Sequence, residues 1–482
     1  MSSLKKRGLI LTFSRATDKA VMMFSPLLLV RILDVHDYGQ YREFMLYATV
    51  LSEIISLNAG RSLLYFMPLK PDLTRRFVTQ VILFSFVLTL GGCLLVVAGA
   101  DLIRSYTSFD FVLPLVLYLF FMTNLNYFEF YWLARKRSDV VLYYSTGKLI
   151  LRLIVVVAVA WLTHDALAIA YALVVFEAIR MLLVLIYSWR KRLLGKDVEW
   201  QSCKEQMAYF VPLGGANIIY VINENLSRLF VSTNLGTIAL SLYTIGSYAT
   251  PLRKVLRSSV GDVIFPEMVS KSGADDPQER LRLWQMSTLF LCLLLFPAAT
   301  IMVVHADLIV TTLFTAQYAD AAPLFAIYAL VLAWDCFDLT LPVRSAGKTM
   351  YLVYTSAAGL IVNLALLFPL YHAFGLIGPA LAYLGTRIFS GLIFMFFILR
   401  LYNIRLKDML PWSGIARVGL GCMVTAPLLY GFNALDVHEL IQAFFGMALF
   451  GIGYVIFIRL FGSRLASDMM MRMLPVLRRS PS

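Results

Sequence analysis

Charged side chains are scarce in this chain, making up 15% of its 482 residues against 60% that are hydrophobic. One water-soluble core cannot enclose that much apolar surface, so a purely soluble globular protein is excluded and lipid must cover part of the chain. Cysteine is sparse as well. Cys93, Cys203, Cys292, Cys336 and Cys422 are scattered, mostly within apolar stretches and without a CxxC pair, which argues against a disulfide framework or a zinc site. A nucleotide-binding glycine loop, an HExxH pair and a Ser-His-Asp candidate are also missing, so the common signatures of a membrane-bound enzyme or ATPase are not there. The basic start, Lys5, Lys6 and Arg7, precedes an apolar run that carries Arg15, Asp18 and Lys19 and lacks a cleavage pattern. It reads as a retained first helix rather than a signal peptide.

What the chain does have is a series of apolar blocks, each of about 20 residues and long enough to cross about 30 Å of hydrocarbon. Unsatisfied backbone groups are costly in lipid, so blocks of that length must be helices, and the expected fold class is an all-α integral membrane protein of about fourteen transmembrane helices. The expected spans are 8–30, 38–59, 77–99, 111–133, 141–163, 166–187, 208–230, 236–258, 283–304, 321–342, 350–370, 374–398, 413–432 and 441–461.

The formal charge of +13 would point to nucleic acid in a soluble protein, but here it is concentrated in alternate loops. Arg61 to Arg76, Arg135 to Arg137, Arg190 to Lys204, Arg253 to Arg282, Arg344 with Lys348, Arg400 to Lys407 and the tail from Arg459 fall on the side of the N-terminus. The opposite loops hold little beyond Arg31, Arg42 and Arg104, and they contain all five histidines, His36, His164, His305, His372 and His438. The positive-inside rule then places both termini in the cytoplasm, with no nucleic-acid partner. The outward loops are short. The longest is the stretch around His305 to Asp320, which leaves no periplasmic domain.

The polar stretch from Trp189 to Gln206 reads as a linker between two halves. The expected organisation is a six-helix lobe over 1–190, a linker over 191–206, a second six-helix lobe over 207–400 and two further helices with a tail over 401–482. A weak internal repeat supports it, because Leu33 to Tyr41 precedes the similar Leu235 to Tyr243 by 202 residues. Units of six helices are parallel copies, which places a cavity between two lobes.

Charges inside apolar spans cost about 2.5–3.5 kcal/mol each on insertion scales, so those that persist face protein or water. Arg15, Asp18 and Lys19 share one face of the first helix. Lys148 and Arg152 repeat the spacing in the fifth, Glu177 with Arg180 suggest a structural ion pair in the sixth, and Asn223, Glu224 and Arg228 suggest a polar cavity wall in the seventh. Arg61, Arg253 and Arg257 lie near cytoplasmic helix ends and are either anchors or a vestibule for phosphate, which Arg binds bidentately. Arg387, Asp335 and Asp338 remain open between roles, balancing the nearby Arg344 being one of those for the two aspartates. The 25 tyrosines and 34 phenylalanines are mostly interfacial anchors.

Three segments carry a resemblance. Asn363 to Thr386, with Gly375, Gly378 and Ala380 at a close helix turn, is similar to the polysaccharide-flippase branch of the multidrug/oligosaccharidyl-lipid/polysaccharide exporter superfamily, which includes O-antigen flippases, the lipid II flippase and the multidrug antiporters. Arg31 to Tyr41 and Tyr131 to Val140 resemble other parts of the same pattern. The resemblance implies two parallel six-helix lobes and an alternating-access flippase of the bacterial inner membrane. Its cargo would be an undecaprenyl-diphosphate-linked oligosaccharide, such as an O-antigen, capsule or exopolysaccharide unit, and it would need no cofactor. Energy would come from the membrane potential or from a coupling ion, H+ or Na+, between which the residues do not decide, and the expected partners are a polysaccharide polymerase and chain-length proteins. By the same resemblance Arg15, Lys19, Arg61, Arg253 and Arg257 line a cationic cavity. A cation-coupled multidrug antiporter is the first rival and should expose carboxylates there. A glycan polymerase or ligase is the second, and should carry a sizeable outward loop.

Overall fold

The computed structural model describes residues 24–101, 104, 111–195, 198–248, 260–261, 264–265, 267–269, 277–431 and 438–463. Among them every regular element is a helix. Ten stretches are long and apolar enough to cross a membrane, and two of these, Trp200–Gly246 and Met350–Tyr402, run to 47 and 53 residues. The protein is therefore a multi-pass, all-α membrane protein. Expected span 8–30 falls largely outside the described residues, and span 236–258 is described only through Tyr248.

By contact density the chain forms two compact units, Met1–Ser241 and Leu242–Ser482. The division falls later than the 191–206 linker expected from the sequence, because the helix that follows the linker packs within the first unit.

In the first unit, α1 (Val35–Ser56) starts where the Asp34 carboxylate accepts from the backbone N–H of Asp37. The short α2 (Leu63–Leu69) precedes α3 (Thr74–Ala98). The expected span 111–133 is not continuous. It consists of α4 (Val112–Thr123) and α5 (Phe128–Ala134), separated by a break in which Leu125 takes a φ of +56°. Then come α6 (Ser138–Thr163) and α7 (Ala166–Arg190), the latter capped by Asp165, whose carboxylate accepts from the N–H groups of Leu167 and Ala168. The long α8 (Trp200–Gly246) bends at Gly236, with a φ of +81° that a side chain would resist.

The loops of the first unit sort by charge. At one end Lys70 pairs with Glu205, Arg76 with Glu199, and the Thr79 hydroxyl accepts from the N–H of Gly195. At the other, His164 Nδ1 lies 2.9 Å from the Ile32 carbonyl. The basic loops assigned to one side by the sequence thus meet each other, as do the histidine-bearing ones.

The second unit contains α9 (Pro277–Val304), α10 (Ala306–Phe314), α11 (Ala322–Trp334), α12 (Thr340–Ser345), α13 (Met350–Phe374), α14 (Gly378–Tyr402), α15 (Leu406–Met409), α16 (Trp412–Thr425) and α17 (Glu439–Phe461). The stretch expected as the longest outward loop, His305 to Asp320, is helical through most of its length, since α10 buries Val310 and Phe314. Trp284, Leu289, Cys292, Leu332, Ile398, Val418 and Ile458 form the core. All five cysteines are buried and free. Helices α13 and α14 form the hairpin expected from Asn363 to Thr386. Gly375 turns the chain at a φ of +56°, and a Cβ on Gly378 would overlap the Leu370 carbonyl.

Candidate functional site

The polar groups of the first unit concentrate where α1 lies antiparallel to α8. At one end of this seam a Cβ on Gly39 would overlap the Thr237 carbonyl, and at the other a Cβ on Gly214 would overlap that of Leu57, so the two backbones approach as only small residues permit. Between those points Glu43, 1% exposed, accepts from the Ser232 hydroxyl at 2.5 Å. Tyr47 joins the same hydroxyl at 3.2 Å. Farther along, Glu53 accepts from Asn217 at 2.8 Å and from Asn58 at 3.2 Å. Asn217, Glu224, Arg228 and Ser232 recur at helical spacing, so the half-buried Glu224 and Arg228, with Asn223 beside them, belong to the stripe that Asn217 and Ser232 direct at α1.

Two basic residues of α6 make no direct contact with a carboxylate, although Glu177 lies close enough to act on both electrostatically. Arg152 has its guanidinium 5.8 Å from the centre of the Tyr118 ring and its Nη2 3.3 Å from the Met45 sulfur. Lys148 lies 5.7 Å from the Tyr144 ring centre. Neither forms an ion pair among the described residues. Ring faces supply only part of what a counter-ion would, so these cations keep most of their field.

By contrast, Arg180 is fully engaged. Its Nε donates to Glu177 at 2.5 Å, and Nη2 donates to the carbonyls of Phe121, Met122 and Asn124 at 2.5, 3.1 and 3.1 Å, which are the orphan carbonyls where α4 ends. The pair is structural, as its spacing suggested, and it also explains the break before α5.

The remaining expected site residues divide as follows. Arg15, Asp18, Lys19, Arg253 and Arg257 lie outside the described residues. Arg61 is exposed, in a single 3-10 turn that follows α1. Arg387 of α14 binds the buried Asp335 at 2.5 Å. Asp335 therefore does not balance Arg344, whose guanidinium sits 4.9 Å from the Phe265 ring centre, while Asp338 accepts from Thr340. Separation explains this correction, since a partner 52 residues away is invisible to local spacing. Glu43 and Glu53 were missed by sequence reasoning. The signal for them was available: two carboxylates inside the expected span 38–59. At the start of α1, Asp34, His36 and Asp37 bring ligand atoms within 4.8 Å of one another, a grouping that follows from the helix cap.

Ten apolar stretches long enough to span a membrane, with carboxylate and amide groups held at an internal seam of the first unit, define a multi-pass helical membrane protein. The chain belongs to the polysaccharide biosynthesis protein family, whose model matches residues 28–323. Among solved structures it is similar to the lipid II flippase MurJ in an inward closed conformation, at a TM-score of 0.71 and 15% identity over 94% of this chain and 99% of that one. It is also similar to an inward-facing multidrug resistance MATE family transporter of the MOP superfamily, at a TM-score of 0.62 and 10% identity over 80% and 94%. A third relative is a MOP superfamily transporter from Pyrococcus furiosus described by the reverse polarity of its binding pocket, at a TM-score of 0.53 and 10% identity over 84% and 96%. These likenesses establish the fold that the resemblance implied. No curated protein sequence matches this chain.

Proposed function

We propose that the protein is a flippase that moves an undecaprenyl-diphosphate-linked oligosaccharide from the cytoplasmic to the periplasmic leaflet by alternating access. The observation that carries the proposal is Arg152, a cation held among the helices of the first unit by an aromatic ring and a thioether, with no ion pair of its own among the described residues, since the nearby Glu177 is paired with Arg180. An unneutralised arginine inside a span costs about 2.5–3.5 kcal/mol on insertion scales. An anionic cargo gives that position a use, and membership of a polysaccharide biosynthesis family agrees with a diphosphate-linked glycan. In this reading Arg152 and Arg228, together with Arg15, Lys19, Arg61, Arg253 and Arg257, attract the diphosphate, while the polyprenyl tail stays in lipid and only the head crosses. The protein works as a transporter in the bacterial inner membrane with both termini cytoplasmic, beside a polymerase and chain-length proteins.

Glu43 and Glu53 favour a second feature. Glu43, buried against the Ser232 hydroxyl, and the half-buried Glu53, held by two amides, are carboxylates that can take up H+ or Na+, so α1 is where coupling to an ion gradient would enter. The same carboxylates are what a cation-extruding multidrug antiporter would carry, and the test must separate the two. Proteoliposomes loaded with a lipid-linked oligosaccharide should show flipping that falls at least about tenfold in R152M and R228M, a loss of roughly 1.4 kcal/mol or more in barrier stabilisation. A wild-type protein that transports cationic dyes and leaves the lipid-linked glycan where it started would establish the antiporter reading instead.

A further inference from the structure

We propose that the first unit holds an anionic membrane phospholipid in a lateral cleft between α6 and α7, a site separate from the α1–α8 seam and independent of the flippase reading. The cleft has a volume of about 720 Å³ and is lined by Tyr144, Lys148, Leu151, Val175, Ile179 and Tyr187 among others. That size lies within the range of small-molecule pockets, about 300–1,000 Å³. Leu151, Val175 and Ile179 are each more than half exposed, and only 11% of the most apolar part of α6 is buried, so the cleft opens onto the lipid-facing surface.

Charge selects the occupant. Two cations border the cleft, and Arg180 is spent on Glu177 and the carbonyls that end α4. Lys148 is left, with the Tyr144 ring as its neighbour and no ion pair among the described residues. The Tyr144 hydroxyl is shut off from solvent and lies toward the Arg180 guanidinium, so Lys148 is the polar group left for a ligand. Lys148 reaches back over the residue one turn nearer the start of α6, the end where Arg135, Lys136 and Arg137 gather. A long side chain of this kind carries its charge toward the interface. The apolar walls and the single cation therefore fit one molecule: an acyl chain between α6 and α7, with its phosphate drawn down to Lys148.

The test uses the full chain in nanodiscs made from equal parts of phosphatidylglycerol and phosphatidylcholine, with retained lipid counted by native mass spectrometry after release. Wild type should retain phosphatidylglycerol about fivefold over phosphatidylcholine, the discrimination expected of one lysine near an anionic head group. K148M should abolish the preference and K148R restore it. V175W, which fills the lipid-facing wall without touching a charge, should lose retained lipid of both kinds at an unchanged unfolding temperature. Equal retention of the two lipids by wild type, an undiminished preference in K148M, or displacement of the lipid by inorganic phosphate alone would overturn the proposal. None of these outcomes depends on glycan flipping.

Discussion

Replacing Arg180 with methionine removes a guanidinium that performs two tasks, and the structure allows each to be sized. The first is neutralising Glu177, which is 3% exposed and lies 2.5 Å from Nε. Breaking a buried pair from one side typically costs about 3–5 kcal/mol, because the surviving charge stays out of water. The second is satisfying the carbonyls of Phe121, Met122, Asn124 and, at 3.5 Å, Leu125. Side-chain hydrogen bonds between membrane helices average about 0.6 kcal/mol, so four are worth about 2 kcal/mol together. R180M should therefore lower stability by about 5–7 kcal/mol. The double variant E177Q/R180M, which removes the stranded charge, should recover all but about 2 kcal/mol. Equilibrium unfolding in mixed detergent micelles, followed by circular dichroism and tryptophan fluorescence, gives both numbers. If R180M unfolds within about 0.5 kcal/mol of wild type, or the double variant is no more stable than the single one, the account of α4 and its break is wrong.

Adjacent glycines of α8 offer a second test. G214A should cost about 1–3 kcal/mol, since its Cβ meets the Leu57 backbone, whereas G215A faces open space and should gain up to about 1 kcal/mol from helix propensity; thermal unfolding of the two in one detergent checks the contrast. At Asp335 and Arg387 the burial is unequal, with 4% and 26% of the side chains exposed, so R387M, which takes the ion pair from the more buried group, should destabilise more than D335N in the same assay. S232A removes the hydroxyl that serves both Glu43 and Tyr47 and should cost about 1–3 kcal/mol. E43Q keeps an acceptor for Ser232, so it should fold normally while transport in proteoliposomes stops responding to an imposed pH gradient.

The helix ends were readable because lipid imposes a length. Expected spans 141–163 and 441–461 differ from α6 and α17 by only a few residues, as apolar blocks bounded by charge leave little choice. The turn at Gly375 was readable for a similar reason, since glycine there and small residues after it serve one geometry. The break at Asn124 and Leu125 was not, because nothing local favours it: Arg180, more than fifty residues later, satisfies the carbonyls that the break exposes. Helix α10 was missed because nine residues are too short to register as a span, yet suffice to bury one face. For the candidate site, the sequence marked Lys148, Arg152 and Arg228 by the cost of a charge in an apolar run. It could not show that Lys148 borders a lateral cleft while Arg152 turns to Tyr118, since that depends on which helices lie on either side of α6.

The seam and the Arg180 cap differ in a way that bears on how such a fold could move. In lipid, apolar side chains gain nothing by leaving hydrocarbon for one another, so helices associate through close packing and polar contacts. The contacts of Glu53 with Asn217 and of Glu43 with Ser232 are single hydrogen bonds between groups that other hydroxyls or water could replace, at about 0.6 kcal/mol each on the average for membrane helices. The Arg180 guanidinium has no substitute, because removing it strands a charge and four carbonyls at once. A conformational cycle that exchanges partners along α1 and α8 while α4 and α7 travel as one piece is therefore the least costly one available to this unit. The segments joined by the 202-residue repeat, Leu33 to Tyr41 and Leu235 to Tyr243, touch at Gly39 and Thr237, so the exchange would begin where the two related strings of sequence already meet.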